Sequence, residues 1–136
     1  MNKNTAIEST KIGIKKIKEI GFFWEGEKDI SQASLSYHIE INTNLHAEKE
    51  EVEVIVSATF KDKEDAFLSI KVATTFYIEH ITQFIDKTNA LHLPEQIGSL
   101  ISEISFAHTR ALLARNTNGT AFELLILPVI DAKNFM

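Results

Sequence analysis

Three successive segments of this chain alternate apolar and polar side chains with a period of two, and that pattern limits the fold more than any other feature. Tyr37, Ile39, Ile41 and Leu45 share one parity, against His38, Glu40, Asn42 and His46. Val52, Val54, Val56, Ala58 and Phe60 follow against Glu51, Glu53, Ser57 and Thr59, with Ile55 as the exception. After the charged turn Lys61-Asp62-Lys63-Glu64-Asp65, the pattern resumes at Leu68, Ile70, Val72, Thr74, Phe76 and Ile78. Side chains on a strand point alternately to opposite faces, so each segment reads as a half-buried strand. Short polar turns between them predict an antiparallel meander.

The segment 11–24 also reads as a strand, because Gly13, Gly21 and its β-branched isoleucines disfavour a helix. Ile12, Ile14, Ile20, Phe22 and Trp24 share one parity, but Lys16 and Lys18 fall on it too. One bulge near Ile17 restores the register, since an inserted residue exchanges the faces. Residues 25–36 then form a connection long enough to cross an edge of the sheet.

From Pro94 the period changes to 3.6. Ile97, Leu100, Ile101, Ile104, Ala107, His108, Ala111, Leu112 and Arg115 follow helical spacing. Pro94 suits the first turn and Glu95 the positive end of the helix dipole. The helix ends in Asn116-Thr117-Asn118-Gly119-Thr120, where Asn118 or Gly119 takes a left-handed conformation. A single helical turn is expected within 81–86. The run 122–130 is apolar on both faces and contains Pro128, which predicts an extended packed tail and not a central strand.

Composition narrows the functional classes. The 136 residues suit one domain. With 14 Lys+Arg against 19 Asp+Glu the formal charge is −5, which argues against a nucleic-acid partner. No apolar run approaches the roughly 18 residues of a membrane span, and the polar start of the chain lacks the apolar centre of a signal peptide. A cytoplasmic protein without membrane insertion is expected. There is no Cys, hence no disulfide, thiolate zinc site or Cys nucleophile. The histidines at 38, 46, 80, 92 and 108 never show zincin spacing. No Gly-rich phosphate loop or Gly-x-Ser-x-Gly elbow occurs. Glu48, Glu50, Glu51 and Glu53 read as a solvated hairpin, and Lys15, Lys16 and Lys18 as a solvated edge. No catalytic residue, metal or cofactor is expected.

The aromatic residues are more informative. Phe22-Phe23-Trp24 and Phe76-Tyr77 put apolar bulk on both faces of a sheet that one helix covers in part. The surplus packs on another subunit, binds a ligand or binds a partner, and self-association accounts for it most economically.

The order of four strand-like segments, one long helix and an apolar tail resembles the SecB family of protein-export chaperones from Ile12 to Asp131. Phe106-Ala107-His108-Thr109-Arg110 resembles the family's Phe-Pro-Tyr-Ala-Arg segment, with Phe106 and Arg110 matching in type. Gly119-Thr120-Ala121-Phe122 is similar to its Gly-x-Phe-Pro turn, and Leu127-Pro128-Val129-Ile130 to its Leu-Ala-Pro-Val tail. Ala66-Phe67-Leu68 and Lys18-Glu19-Ile20 resemble parts of its fourth and first strands.

This resemblance implies an α+β fold, with a four-stranded antiparallel Greek-key sheet, one long C-terminal helix and the tail, in a single domain over 1–136. It implies an ATP-independent holdase that binds unfolded polypeptides, either preproteins or an antitoxin, in apolar grooves beside the helix. Phe22, Trp24, Ile39, Leu100, Ile104 and Ile130 are the groove residues expected. Phe67, Tyr77, Ile97, Phe106 and Leu113 are expected at subunit interfaces of a homotetramer, a dimer of dimers with helices sandwiched between sheets. Of the acidic positions the family uses toward the export ATPase SecA, Glu19 fits one, while Phe23 and Ile70 stand at two others. The competing expectation is a non-catalytic small-ligand-binding or structural α+β domain. Light scattering at micromolar concentration should give close to four times the 15.3 kDa of one chain, and a mass of one chain would refute self-association.

Overall fold

The computed structural model describes residues 10–25, 35–123, 125 and 127. The meander forms as the alternation predicts. Strand β2 (Leu35–His46) pairs with β3 (Glu51–Asp62), and β3 pairs with β4 (Asp65–Ile78). Strand β1 (Ile12–Trp24) lies antiparallel to β4, so the order across the sheet is β1-β4-β3-β2. This is a Greek-key arrangement, with the meander flanked by a strand that precedes it in the chain.

The connections are shorter than the charged runs suggested. Lys61, Asp62 and Asp65 still pair as strand ends, leaving only Lys63 and Glu64 as the turn, with Lys63 at φ 58°. Between β2 and β3, Ala47–Lys49 forms a 3₁₀ turn closed by Glu50 at φ 56°.

One face of the sheet is the core. Val52, Val54, Val56, Ala58 and Phe60 of β3 and Leu68, Ile70, Val72, Thr74, Phe76 and Ile78 of β4 are all buried. Each large apolar side chain among them stabilises the fold by about 1.5–3 kcal/mol relative to exposure. A bulge interrupts the parity once: Phe60 pairs with Leu68 but Lys61 with Ala66, so Phe67 is the extra residue. Phe67 and Leu68 are both fully buried, and Phe67 meets Phe122 at a ring separation of 5.6 Å.

Strand β1 needs two register shifts, where one near Ile17 was expected. They fall between Ile14 and Lys16 and between Glu19 and Gly21. Partners across a ladder share a face. Ile12, Ile14, Ile17, Glu19, Phe22 and Trp24 therefore lie on the core side with Ile78, Phe76, Thr74, Val72, Ile70 and Leu68. Lys16 and Lys18, paired with Thr75 and Ala73, move to the other face. The lysines leave the apolar face as anticipated, and Ile17 with Glu19 takes their place.

Helix α1 (Glu95–Thr117) packs on this face, against β3 and β4. Pro94 is its N-cap and stands just outside the first turn; its carbonyl accepts from the Gly98 N–H at 2.9 Å. The buried side of α1 differs from the largest-residue stripe. Ile97 and Ile101 are buried as expected, but the contact then follows Ser102, Ser105, Phe106, Thr109, Leu113 and Thr117. Ala107, Ala111 and Arg115 are exposed, and Ile104, His108 and Leu112 are half-buried. The hydroxyls of Ser105, Thr109 and Thr117 donate to carbonyls four residues back, at 2.7, 2.8 and 2.8 Å. Satisfied within the helix, they can be buried at little cost, and their small size brings α1 close to the sheet. Apolarity alone does not reveal such a face.

Before α1, Ile81–Phe84 forms one 3₁₀ turn. The Asp86 carboxylate then organises the loop: it accepts from the Thr88 hydroxyl at 2.6 Å, the N–H groups of Thr88 and Ala90, and the His92 ring. These bonds, the Thr88 hydroxyl foremost, hold its carboxyl well below the usual carboxylate range. After α1, Gly119 takes the left-handed conformation at φ 78°. Phe122, Leu125 and Leu127 are buried, the first part of the tail being wound in successive turns; from 128 onward the tail lies outside the described residues. Among the described residues no helix is long and apolar enough to cross a membrane.

The close approach of α1 is testable. Ser105→Leu should destabilise the fold by about 1–3 kcal/mol through overpacking, whereas Ser105→Ala should stay within about 1 kcal/mol. Urea unfolding of both variants measures the difference; equal effects would mean the small residue is not required there.

Candidate functional site

A helix is about 10 Å across, and neighbouring strands are about 4.8 Å apart. One helix therefore covers two strands of a four-stranded sheet, and α1 lies over the central pair. Both edges are left partly uncovered. Ile14, Ile17, Ile20, Phe23 and Trp24 of β1 and Leu35 and Tyr37 of β2 are exposed large apolar side chains. Leu100 on α1 is exposed as well.

The β1 edge is the richer. Trp24 is 43% exposed although its ring stands edge-on to Phe122 at 5.6 Å and 78°. Phe22 is half-buried against the cluster of Phe67, Leu68, Ile70, Leu113 and Phe122. Ile14 and Ile17 continue the same side of the strand, with Glu19 between them and Phe22. The Glu19 carboxylate accepts from the Asn116 side-chain amide of α1, tying the strand to the helix. Beneath α1, His108 Nδ1 and the Thr74 hydroxyl are hydrogen-bonded at 2.9 Å. Burial lowers the His108 pKa below its ordinary value.

The expected groove residues fall into separate places. Phe22 and Trp24 are together on the β1 flank. Ile39 is on β2 at the opposite edge, half-buried against both core clusters. Ile104 is half-buried against the core, while Leu100 points away from it. Ile130 lies outside the described residues. The described groove residues thus lie on two flanks of the sheet and on the helix.

The residues expected at subunit interfaces lie mostly inside the chain. Phe67, Ile97, Phe106 and Leu113 are all buried in the chain's own core. Tyr77 is half-buried on the face away from α1, with Lys15 Nζ 5.9 Å from its ring centre. Ile14, Ile17, Ile20, Leu35 and Tyr37 were not anticipated as exposed, because local alternation does not say which strand is an edge.

Among the described residues, two hollows open to solvent. One, of about 420 Å³, lies on the face away from α1 and is lined by Phe23, Ser57, Thr59, Ser69 and Lys71 around Gly21. The other, of about 370 Å³, lies on the outer side of α1 between Ala107, Arg110, Ala111, Ala114 and Leu125. Among the described residues no three His, Asp or Glu side chains converge to hold a metal ion.

No protein-family profile matches this chain, and no curated protein matches its sequence. Among solved structures, the fold is similar to that of the Mycobacterium tuberculosis SecB-like chaperone Rv1957, solved in complex with a ChAD peptide from the Rv1956 HigA1 antitoxin. The TM-score is 0.62 at 11% identity, over 93% of this chain and 91% of that one. A protein of unknown function from Streptococcus agalactiae aligns over 88% of this chain and 98% of that one, at 8% identity and a TM-score of 0.34, too low to carry an argument. The likeness to the chaperone is one of fold: four antiparallel strands and one long C-terminal helix.

The His108 contact carries a pH dependence. A neutral His108 is favoured in the fold, so the unfolded chain takes up a proton first as pH falls. This contribution to stability is complete above about pH 6.5 and is lost as the pH drops below it. Thermal melts of wild type and His108→Gln between about pH 8 and 5 should converge on the acid side; a constant separation would remove His108 from the pH dependence.

Proposed function

We propose that this protein is an ATP-independent, SecB-like holdase for non-native polypeptides. The observation that carries this reading is the uncovered β1 flank, where Ile14, Ile17 and Trp24 stand exposed beside α1 on a rigid sheet. An unfolded segment presents scattered apolar side chains, and burying them yields about 25 cal/mol per Å² with little demand on sequence. The strand has 13 residues, about 43 Å of extended chain, so the flank matches a polypeptide in length. The fold likeness to a chaperone solved with an antitoxin peptide supports the same class of client. No reaction is part of this reading, and neither ATP nor a cofactor is required.

Preproteins and an antitoxin both suit such a flank, and capture is independent of SecA. Of the positions compared with the family's acidic contacts, Glu19 is engaged by Asn116, Ile70 is buried and Phe23 is apolar. The protein acts in the cytoplasm as a homo-oligomer, a tetramer made as a dimer of dimers.

The competing small-ligand reading rests on the 420 Å³ hollow on the other face, which is within the size range of ligand pockets. Function separates the two. The protein should suppress light scattering by a chemically denatured client at near-stoichiometric ratio without ATP. Trp24→Gln combined with Leu100→Gln should weaken protection several-fold while leaving the mass unchanged. Moderate salt should have little effect, since apolar burial is not screened. Absence of protection for any unfolded client would favour the ligand-binding domain, and loss of the oligomer in the double variant would assign those residues to assembly.

A further inference from the structure

On the face of the sheet turned away from α1, the strand register brings one group of side chains together. Gly21, Lys71 and Ser57 pair in a row across β1, β4 and β3, and Phe23, Ser69 and Thr59 pair in another row on the same face. Strands lie about 4.8 Å apart, and same-face residues of one strand about 7 Å apart. These positions therefore frame one area of about 7 by 10 Å. A hollow of about 420 Å³ opens over it. Gly21 makes the room: it leaves the corner between Lys71 and Phe23 empty, and a Cβ there would meet no atom within 4 Å.

The chemistry of the hollow is one-sided. Lys71 is the charged group of its lining, and the hydroxyls of Ser57, Thr59 and Ser69 beside it can donate as well. Among the described residues these four side chains engage no partner. Across the register the acid on this face is Glu40, which pairs with Ser57 from β2 and so stands two strands from Lys71. Its carboxylate is hydrogen-bonded to the His38 ring at 3.0 Å. Phe23 adds a bare aromatic ring at the rim, 55% exposed. An ammonium and hydroxyls are best satisfied together by the oxygens of an anion, and an exposed ring by a flat apolar body.

We propose that this hollow binds a small aromatic anion, a carboxylate or a phosphate ester. Its anionic head accepts from Lys71 and the hydroxyls, and its ring lies against Phe23. The volume falls in the range of ligand pockets, about 300–1,000 Å³. A frame of two rows and three strands matches one ring with its head and is too short for an extended segment of chain. Polypeptide capture uses the opposite face, so the site goes beyond the holdase reading and does not compete with it.

Calorimetric titration of the full chain with phenyl phosphate, benzoate, benzamide and inorganic phosphate tests the site and separates the two kinds of head. At low salt at least one aromatic anion should bind about ten-fold more tightly than benzamide or inorganic phosphate. Lys71→Gln, at an exposed position, should remove that advantage. Gly21→Leu, which fills the hollow from its corner, should abolish binding. Suppression of aggregation should be unchanged in both variants. Benzamide bound as tightly as the anions, or an advantage that survives Lys71→Gln, would overturn the anion site. Inorganic phosphate bound as tightly as phenyl phosphate would overturn the aromatic ligand. No binding of any probe at millimolar concentration would overturn the site and leave the holdase standing. Loss of aggregation suppression with Lys71→Gln would assign the hollow to the client surface, which also overturns a separate ligand site.

Discussion

The structure turns on a mismatch of widths: one helix has to cover a sheet of four strands. Helix α1 covers β3 and β4, whose inward side chains are buried almost without exception. The outer strands receive only part of this cover. They keep isoleucines and aromatic residues in contact with water, at an apolar cost that folding of a single chain does not remove. The core and the candidate binding surface therefore have the same origin, and the strand order decides which residues serve each.

How α1 achieves its cover has consequences on its far side. Ser102, Ser105 and Thr109 let the helix settle low on the sheet, anchored at the sides by Phe106 and Leu113. Because small residues form the contact, several of the helix's aliphatic residues are not needed there. Leu100, Ala107 and Ala111 are turned outward. The helix is apolar on two sides, one of them packed on its own sheet.

The β1 strand shows how a local irregularity acts over a distance. Its two register shifts remove Lys16 and Lys18 from the inner face and bring in Ile17 and Glu19. Glu19 would be an unwelcome charge there, but Asn116 meets it from α1. The result is a flank that is apolar, fixed in place by one polar contact, and open along its edge. This is the surface on which the proposed capture of non-native chains rests.

The elements themselves were legible in the chain because they follow from local rules. Side-chain parity marked β2, β3 and β4, the change of period at Pro94 marked α1, and Gly119 marked its end. The core residues of the central strands could be named for the same reason. The two sites could not. Phe67, Phe106 and Leu113 are large and apolar whether they face a neighbouring subunit or their own core, and only packing assigned them to the core. Ile39 and Trp24 belong to similar alternating patterns, yet they lie at opposite edges of the sheet. Alternation states which face a residue occupies but not how many strands separate it from the edge, because strand order depends on contacts distant in sequence. The chain by itself determined the elements and their buried faces through short-range periodicity. Only the tertiary structure decided which apolar residues remain uncovered, since that depends on where one helix comes to rest on four strands.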